Sequence, residues 1–264
     1  MSSSFYVPQG ASAHGRDAFA AMPPTASPWG PTSQHGSPPA ALLARAVERL
    51  DTGAERFVGR ITVDLLGPVP VGLLSVEARV VRPGRNVELV EATLFDDESD
   101  RAVARAAAWR FPANVEGPAA ENVALPHGPG DGAEQEAPAF WSPGYVEAMD
   151  WRWVKGGVAE AGPAVVWMRP RHALVEGEET TPLQRLMTCV DSASGASSEL
   201  DPAEWGFQNP ELTVHLLREP VGEWFCLDAE TTLGPGSVGL ATSAVYDQRG
   251  LVGRSAQALL TLRR

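Results

Sequence analysis

The chain has 264 residues, 44% of them apolar and 20% charged, so it can bury a sizeable core and is too apolar to stay disordered. Its length allows one large domain or two small ones. With 21 Lys and Arg against 33 Asp and Glu, the net charge is −12, which speaks against a nucleic-acid partner or a polybasic membrane surface, since both need clustered positive charge. Two isolated cysteines, Cys189 and Cys226, exclude a disulfide framework and a four-cysteine zinc site, and are expected as buried reduced thiols. No apolar run approaches the ~18 residues of a membrane span, and the opening MSSSFYVPQG lacks a basic-then-apolar leader. The expected compartment is the cytoplasm.

Residues 1–39 are rich in Ser, Pro, Gly and Ala and are expected as loop around one short strand at residues 5–7. Phe5, Tyr6, Val7, Phe19 and Trp29 are the packing anchors there. Ser37 is the expected N-cap and Pro38 the first helical residue, where its missing N–H costs nothing. The helix AALLARAVERL follows, with Ala40, Leu43, Ala44, Val47 and Leu50 on one face. Period-2 alternation then predicts strands at residues 57–65, 74–80, 87–95 and 102–111. Turns at Arg82-Pro83-Gly84-Arg85 and at residues 96–100 join the later ones, and the expected arrangement is a helix followed by an antiparallel meander. Residues 112–143, dense in Pro, Gly, Ala and acid, read as a linker.

After the linker the same grammar returns. Strands are expected at residues 151–154 and 165–168. Thr180-Thr181-Pro182 opens a second helix, LQRLMTCVDSA, and four strands follow at residues 211–217, 224–231, 239–246 and 251–262. Placing Pro39 on Pro182 superposes the helices and puts Val47-Glu48 over Val190-Asp191. Placing Val80-Val81-Arg82 on Leu216-Leu217-Arg218 superposes the central hairpins. Placing Val103-Ala104-Arg105 on Val252-Gly253-Arg254 puts Ala108 over Gln257.

A long helix wrapped by a curved antiparallel sheet, present twice in one chain, resembles the hotdog fold. The runs NPELTVHLLREPVGEWFCLDAETT and GLATSAVYDQRGLVGRSAQALLTLRR, with QHGSPPAALLARAVE ahead of them, are similar to the acyl-CoA thioesterase II family and its thioesterase-like relatives. His35-Gly36, Leu216-Leu217-Arg218-Glu219-Pro220, Gly222-Glu223-Trp224 and Gly253-Arg254-Ser255-Ala256-Gln257 are the most specific parts. The resemblance implies an α+β double hotdog, with two helix-plus-antiparallel-sheet repeats forming a continuous curved sheet. The repeats would occupy residues 1–111 and 144–264, either side of the linker. It also implies an acyl-CoA or acyl-carrier thioester as substrate and no cofactor; a homo-oligomer stays open.

Thioester hydrolysis needs a carboxylate to orient or deprotonate water, preorganised donors for the oxyanion, and a slot for the acyl chain. Asp191 ends an apolar run, where an acid facing the core is costly unless used or paired; it matches the family's catalytic acid. The alternatives are a solvent-facing helix end or a cap for residues 192–194. Gln257 lies between Ala256 and Ala258, carries an amide that can donate and accept, and matches the family's catalytic Gln; the alternative is a polar position on a wet strand face. The family's third polar residue bears a hydroxyl, and the register here puts Pro210 in its place. Asn209 is the expected substitute, with Thr213 a second candidate at the substrate.

The first repeat carries Glu48 and Ala108 where the second carries Asp191 and Gln257, so one functional site is expected. The first repeat would contribute the backbone amides near Gly36, with His35 at the mouth. Glu48 is expected as a solvated helix charge. His172 and His215 lack neighbours at metal-ligand spacing, no Gly-x-Ser-x-Gly elbow is present, and the Gly-rich turns lack a phosphate-loop context. Two rival readings remain: a non-catalytic acyl-thioester binding protein, favoured by Pro210, and an enoyl-thioester hydratase, disfavoured because that chemistry pairs an Asp with a His on one helix and its loop and the sequence around Asp191 offers no such His.

Overall fold

Apolar residues at every second position give each strand one face that must leave water. The computed structural model describes residues 4–113, 115–118, 120–138, 141–158, 160–201 and 204–264. The first repeat contains β5 (Arg56–Leu65), β6 (Leu73–Arg82), β7 (Glu88–Asp96) and β8 (Arg101–Pro112). The second contains β13 (Glu211–Leu216), β14 (Phe225–Leu233), β15 (Val238–Asp247) and β16 (Gly250–Arg263). These eight strands stand in the order β6-β7-β8-β5-β13-β16-β15-β14 in one continuous 14-stranded sheet.

The expected meander is only partly right. β6, β7 and β8 follow one another, but β5 pairs with β8 rather than with β6, and β13 likewise pairs with β16. The free edges of β5 and β13 then pair with each other, joining the repeats. At this seam Thr62 faces Thr213, Ala107 lies beside Thr62, and Ala256 lies beside Thr213. Ala108 therefore stands where Gln257 stands, as the sequence register predicts. The superposition of Val80-Val81-Arg82 on Leu216-Leu217-Arg218 does not hold, because β6 is the counterpart of β14, not of β13.

Residues 4–39 are also more ordered than their composition suggests. They form β1 (Ser4–Ala11), β2 (Asp17–Ala21), β3 (Ala26–Ser27) and β4 (Gly30–Gln34). β2 extends the sheet from β6, and β1 pairs in parallel with β11 (Ala173–Val175) from the second repeat. On the other side, β9 (Met149–Lys155) and β10 (Ala164–Pro170) extend the sheet from β14. The short β12 (Trp205–Gln208) pairs with the end of β16. Of the described linker residues, Ala133 bridges to Trp153, and Val123 accepts from Leu251 N at 2.8 Å.

Helix α1 (Ser37–Arg49) and helix α2 (Pro182–Val190) pack against each other on the inner face of this sheet. α1 buries Leu42, Leu43 and Val47 completely. Its N-cap is Gly36, with no side-chain cap, so Ser37 is the first helical residue rather than the cap. α2 begins with a capping box in which Gln184 N donates to Thr181 Oγ1 and Thr181 N donates to Gln184 Oε1. The second helix ends earlier than its sequence pattern predicts. It stops at Val190, caps at Asp191, and resumes as the single turn α3 (Ala193–Ala196). None of the described helices is long and apolar enough to cross a membrane.

Candidate active site

The break between α2 and α3 is where polar groups collect. Asp191, only 6% exposed, would be expensive to bury as an unpaired charge. Two amides meet that cost. Asn209 Nδ2 donates to Asp191 Oδ1 at 2.6 Å, and Gln257 Nε2 donates to the same oxygen at 3.0 Å. Gln257 Nε2 also donates to the Asp191 carbonyl at 3.1 Å, and Gln257 Oε1 accepts from Ser194 N at 3.2 Å. The fully buried Gln257 side chain thus staples the α2–α3 turn from the sheet. Hydrogen bonds to a charged group contribute about 1.5–3 kcal/mol each, so the two amides offset much of the carboxylate's desolvation.

The other carboxylate oxygen faces the first repeat. A Cβ on Gly36 would lie 2.6 Å from Asp191 Oδ2, so the α1 N-terminus meets the acid directly. Pro38 and Pro39 have no N–H, which leaves Gly36 and Ser37 as the amides of that turn. Ser37 N donates to His35 Nδ1 at 3.2 Å. His35 Nδ1 also lies 3.4 Å from Asp191 Oδ2, but burial lowers the His35 pKa despite the pull of Asp191. Desolvation is the larger influence on the ring and the pull of Asp191 the smaller.

The His35 ring stacks on Tyr145, with centroids 3.9 Å apart and planes 7° apart. The Tyr145 hydroxyl donates to the Thr188 carbonyl at 2.6 Å and lies 2.9 Å from Ser192 Oγ. Sequence reasoning missed Tyr145. It follows the Pro- and Gly-rich linker, and nothing local to it signals a site. Of the six residues singled out, the fold brings Asp191, Asn209, Gln257, His35 and Gly36 together. Thr213 is turned elsewhere: it donates to Glu211 Oε2 at 3.1 Å and lies 3.1 Å from Thr62 Oγ1. Pro210 spends its carbonyl on Leu65 N at the seam, at 2.8 Å.

At the opposite end of the helix pair the symmetry-related groups behave differently. Glu48 is not a solvated charge. It accepts from Thr181 Oγ1 at 2.9 Å and from Gln184 Nε2 at 2.8 Å, and burial raises its pKa. This carboxylate locks the N-terminus of α2, and Ala108 supplies no amide there.

Two family models match the chain, one in each half. The family model of the acyl-CoA thioesterase C-terminal domain matches residues 126–261, and that of the N-terminal domain matches residues 25–111. The chain belongs to the acyl-CoA thioesterase family. Membership makes it a thioester hydrolase. No curated protein matches its sequence. Among solved structures, a conserved protein of unknown function with a hot dog fold from Alicyclobacillus acidocaldarius is 18% identical with a TM-score of 0.75, covering 95% of each chain. An acyl-CoA thioesterase II from Mycobacterium marinum is 16% identical with a TM-score of 0.63, covering 88% of this chain and 90% of its own. At such identities these likenesses speak to the fold.

This acyl-CoA thioesterase has two cavities beside its second-repeat helices, and Asp191 lines neither. The larger, about 550 Å³, opens beside Thr180 at the N-terminus of α2, away from Asp191. Arg169 and Arg171 on its wall both donate to Asp150. The smaller admits a water-sized sphere over about 10 Å³, between α3 and the sheet beside Ser194. Near it an aromatic group closes over the surface: Trp29 meets Trp141 and Phe207 edge-on at 6.0 and 5.9 Å. Among the described residues no cluster of three or more His, Cys, Asp or Glu is arranged to hold a metal ion.

Proposed function

We propose that Asp191 is the general base of acyl-CoA hydrolysis in this thioesterase. Asp191 Oδ2 takes a proton from water while the water oxygen attacks the thioester carbonyl carbon. The carbonyl oxygen becomes an oxyanion that accepts from Gly36 N–H at the α1 N-terminus. Collapse of the tetrahedral species breaks the C–S bond, and Asp191 returns the proton to the departing thiolate. The products are a free acid and a free thiol, with no covalent intermediate and no cofactor. In this reading Gln257 and Asn209 act on the acid rather than on the water. Their donors are spent on Oδ1, which turns Oδ2 toward the reacting atoms. His35 and Tyr145 form the wall beside that oxygen.

The observation that carries the reading is a buried carboxylate held on one oxygen by two amides from distant strands and pressed on the other against a glycine at a helix N-terminus. Hydrolysis of an acyl-CoA panel, followed by thiol detection, tests it. Asp191→Asn is expected to lower kcat by about 10²–10⁴-fold, the usual worth of a positioned acid–base group. Turnover unchanged in that variant would remove Asp191 from the mechanism. Pro210 in the hydroxyl position and the 6% exposure of Asp191 favour a second reading, an acyl-thioester binder without turnover. An acyl-CoA that raises Tm while releasing no thiol supports it.

A further inference from the structure

Tyr145 comes just after the linker, and the glycine before it decides where the ring lands. Gly144 has φ +142°, and a Cβ there would lie 2.7 Å from the Ala26 carbonyl, so glycine is what lets this segment rest on β3. Tyr145 N donates to that same carbonyl at 2.9 Å, and His35 N donates to the neighbouring Thr25 carbonyl, also at 2.9 Å. One short stretch of backbone thus places both members of the His35–Tyr145 stack. Trp151 meets the Tyr145 ring edge-on at 6.3 Å. With the ring gripped on these sides and buried, its hydroxyl has one direction to point.

That direction is the backbone on either side of Asp191. The helical ladder of α2 runs out there: Ser192 N turns to the Cys189 carbonyl, three residues back, at 3.1 Å. The Thr188 carbonyl takes the Tyr145 proton at 2.6 Å. A phenol has one proton to give, so in the 2.9 Å contact with Ser192 Oγ the serine is the donor. Gln257 grips the same turn from the sheet, through the Asp191 carbonyl and Ser194 N. Tyr145 grips it from the opposite end of the sequence, through Thr188 and Ser192.

We propose that Tyr145 is a positioning residue for the hydrolysis: its hydroxyl fixes the α2–α3 turn so that Asp191 Oδ2 stays aimed at the reacting atoms. The inference rests on the reading of Asp191 as the base, because Tyr145 acts through that carboxylate and not on the substrate. Without the hydroxyl, a buried carbonyl and a buried serine lose their partner, and the turn is free to shift. The amides on Oδ1 then no longer fix where Oδ2 points.

The test uses the full chain and the acyl-CoA of the panel that the wild type turns over fastest. Tyr145→Phe keeps the ring and its stack on His35 and removes only the hydroxyl. It is expected to lower kcat by about 10–10²-fold, up to the cost of a ~1 Å misplacement. KM is expected to stay within about 2-fold, since the lost interaction is expressed in the transition state. The deciding measurement is the same substitution in Asp191→Asn. A residue that acts through Asp191 has nothing left to position there, so the double variant is expected to match Asp191→Asn alone. A merely structural role lowers the folded fraction and cuts the rate equally in both backgrounds. Ser192→Ala, which leaves the Thr188 bond in place, is expected to show a smaller kcat loss with the same dependence on Asp191, and it decides the matter if Tyr145→Phe does not fold.

Full kcat in folded Tyr145→Phe, or an equal further loss in the Asp191→Asn background, overturns the positioning role and leaves Asp191 as the base. Full turnover in Asp191→Asn removes the base, and the role of Tyr145 falls with it.

Discussion

Gly36 carries no side chain where the Asp191 carboxylate lies; an added Cβ would come within 2.6 Å of Oδ2 and 2.9 Å of Cγ. Gly36 is in the αR region, with φ −66°, so alanine fits the backbone and only the contact is at stake. Gly36→Ala is expected to displace the carboxylate, lower kcat/KM by about 10²-fold, the scale of a ~1 Å misplacement at a reacting centre, and lower Tm as the amide hydrogen bonds to Asp191 are strained. Steady-state kinetics beside a melting curve checks this; full activity in a folded variant would show that the close approach is not needed. Asp191 and Gln257 could be picked out in the sequence because an acid ending an apolar run and an amide among alanines are locally odd. Which oxygen each amide holds could not, because it depends on strands far apart in the chain. Tyr145 was invisible for the same reason: its role exists only once His35 lies on its ring.

The helices are held at their ends by contacts from other elements. Arg110, on β8, is buried; its Nη1 donates to the Val47 and Leu50 carbonyls at 2.9 Å each, and its Nε donates to Glu88 at 2.7 Å. It closes the C-terminus of α1 and neutralises a carboxylate only 2% exposed. Arg110→Leu removes one of the two guanidiniums beside Glu88, leaving Arg56 Nε at 3.3 Å, and is expected to cost about 1.5–3 kcal/mol, the worth of a hydrogen bond to a charged group, read as a lower urea midpoint with unchanged slope.

The other end of the helix pair is set by Glu48. Burial raises its pKa above the model-compound value of 4.5, with Thr181 and Gln184 pulling the other way. A raised folded pKa means that the folded state binds the proton more tightly. The associated stability is fully present below the unfolded pKa and is lost as pH rises through the folded pKa. Glu48→Gln, neutral at every pH, is therefore expected to gain Tm relative to wild type as pH rises from 4 to 8. A constant difference across that range would mean that Glu48 ionises without penalty. The pattern of residues 40–50 predicted the helix, but not this lock, because the sequence reads Glu48 as one more surface charge.

At the scale of the molecule, the pairing of β5 with β13 makes one sheet of two repeats. Ile61 and Val214 face each other there with no exposure, so neither repeat has a finished edge of its own. Ile61→Ala is expected to cost about 2–5 kcal/mol, and both halves should still unfold together. Far-UV circular dichroism and tryptophan fluorescence in urea are expected to give one coincident transition before and after the change. Two resolved transitions would show that the repeats are independently stable.

Periodicity was enough to find the helices, the eight principal strands and the duplication, because a period of 2 or 3.6 is a local property of which side chains leave water. Composition misled at residues 4–34, where backbone pairing to β6 and β11 orders a segment poor in apolar residues. It also suggested a meander, because adjacency in sequence resembles adjacency in space until β5 is seen to close on β8. The acid, the amides and the glycine were all legible as residue types. That they meet, that the site is nearly sealed, and that the second pair of helix ends is locked rather than reactive came from the tertiary structure alone. Burial, hydrogen-bond geometry and free volume belong to the packed chain and have no local signature.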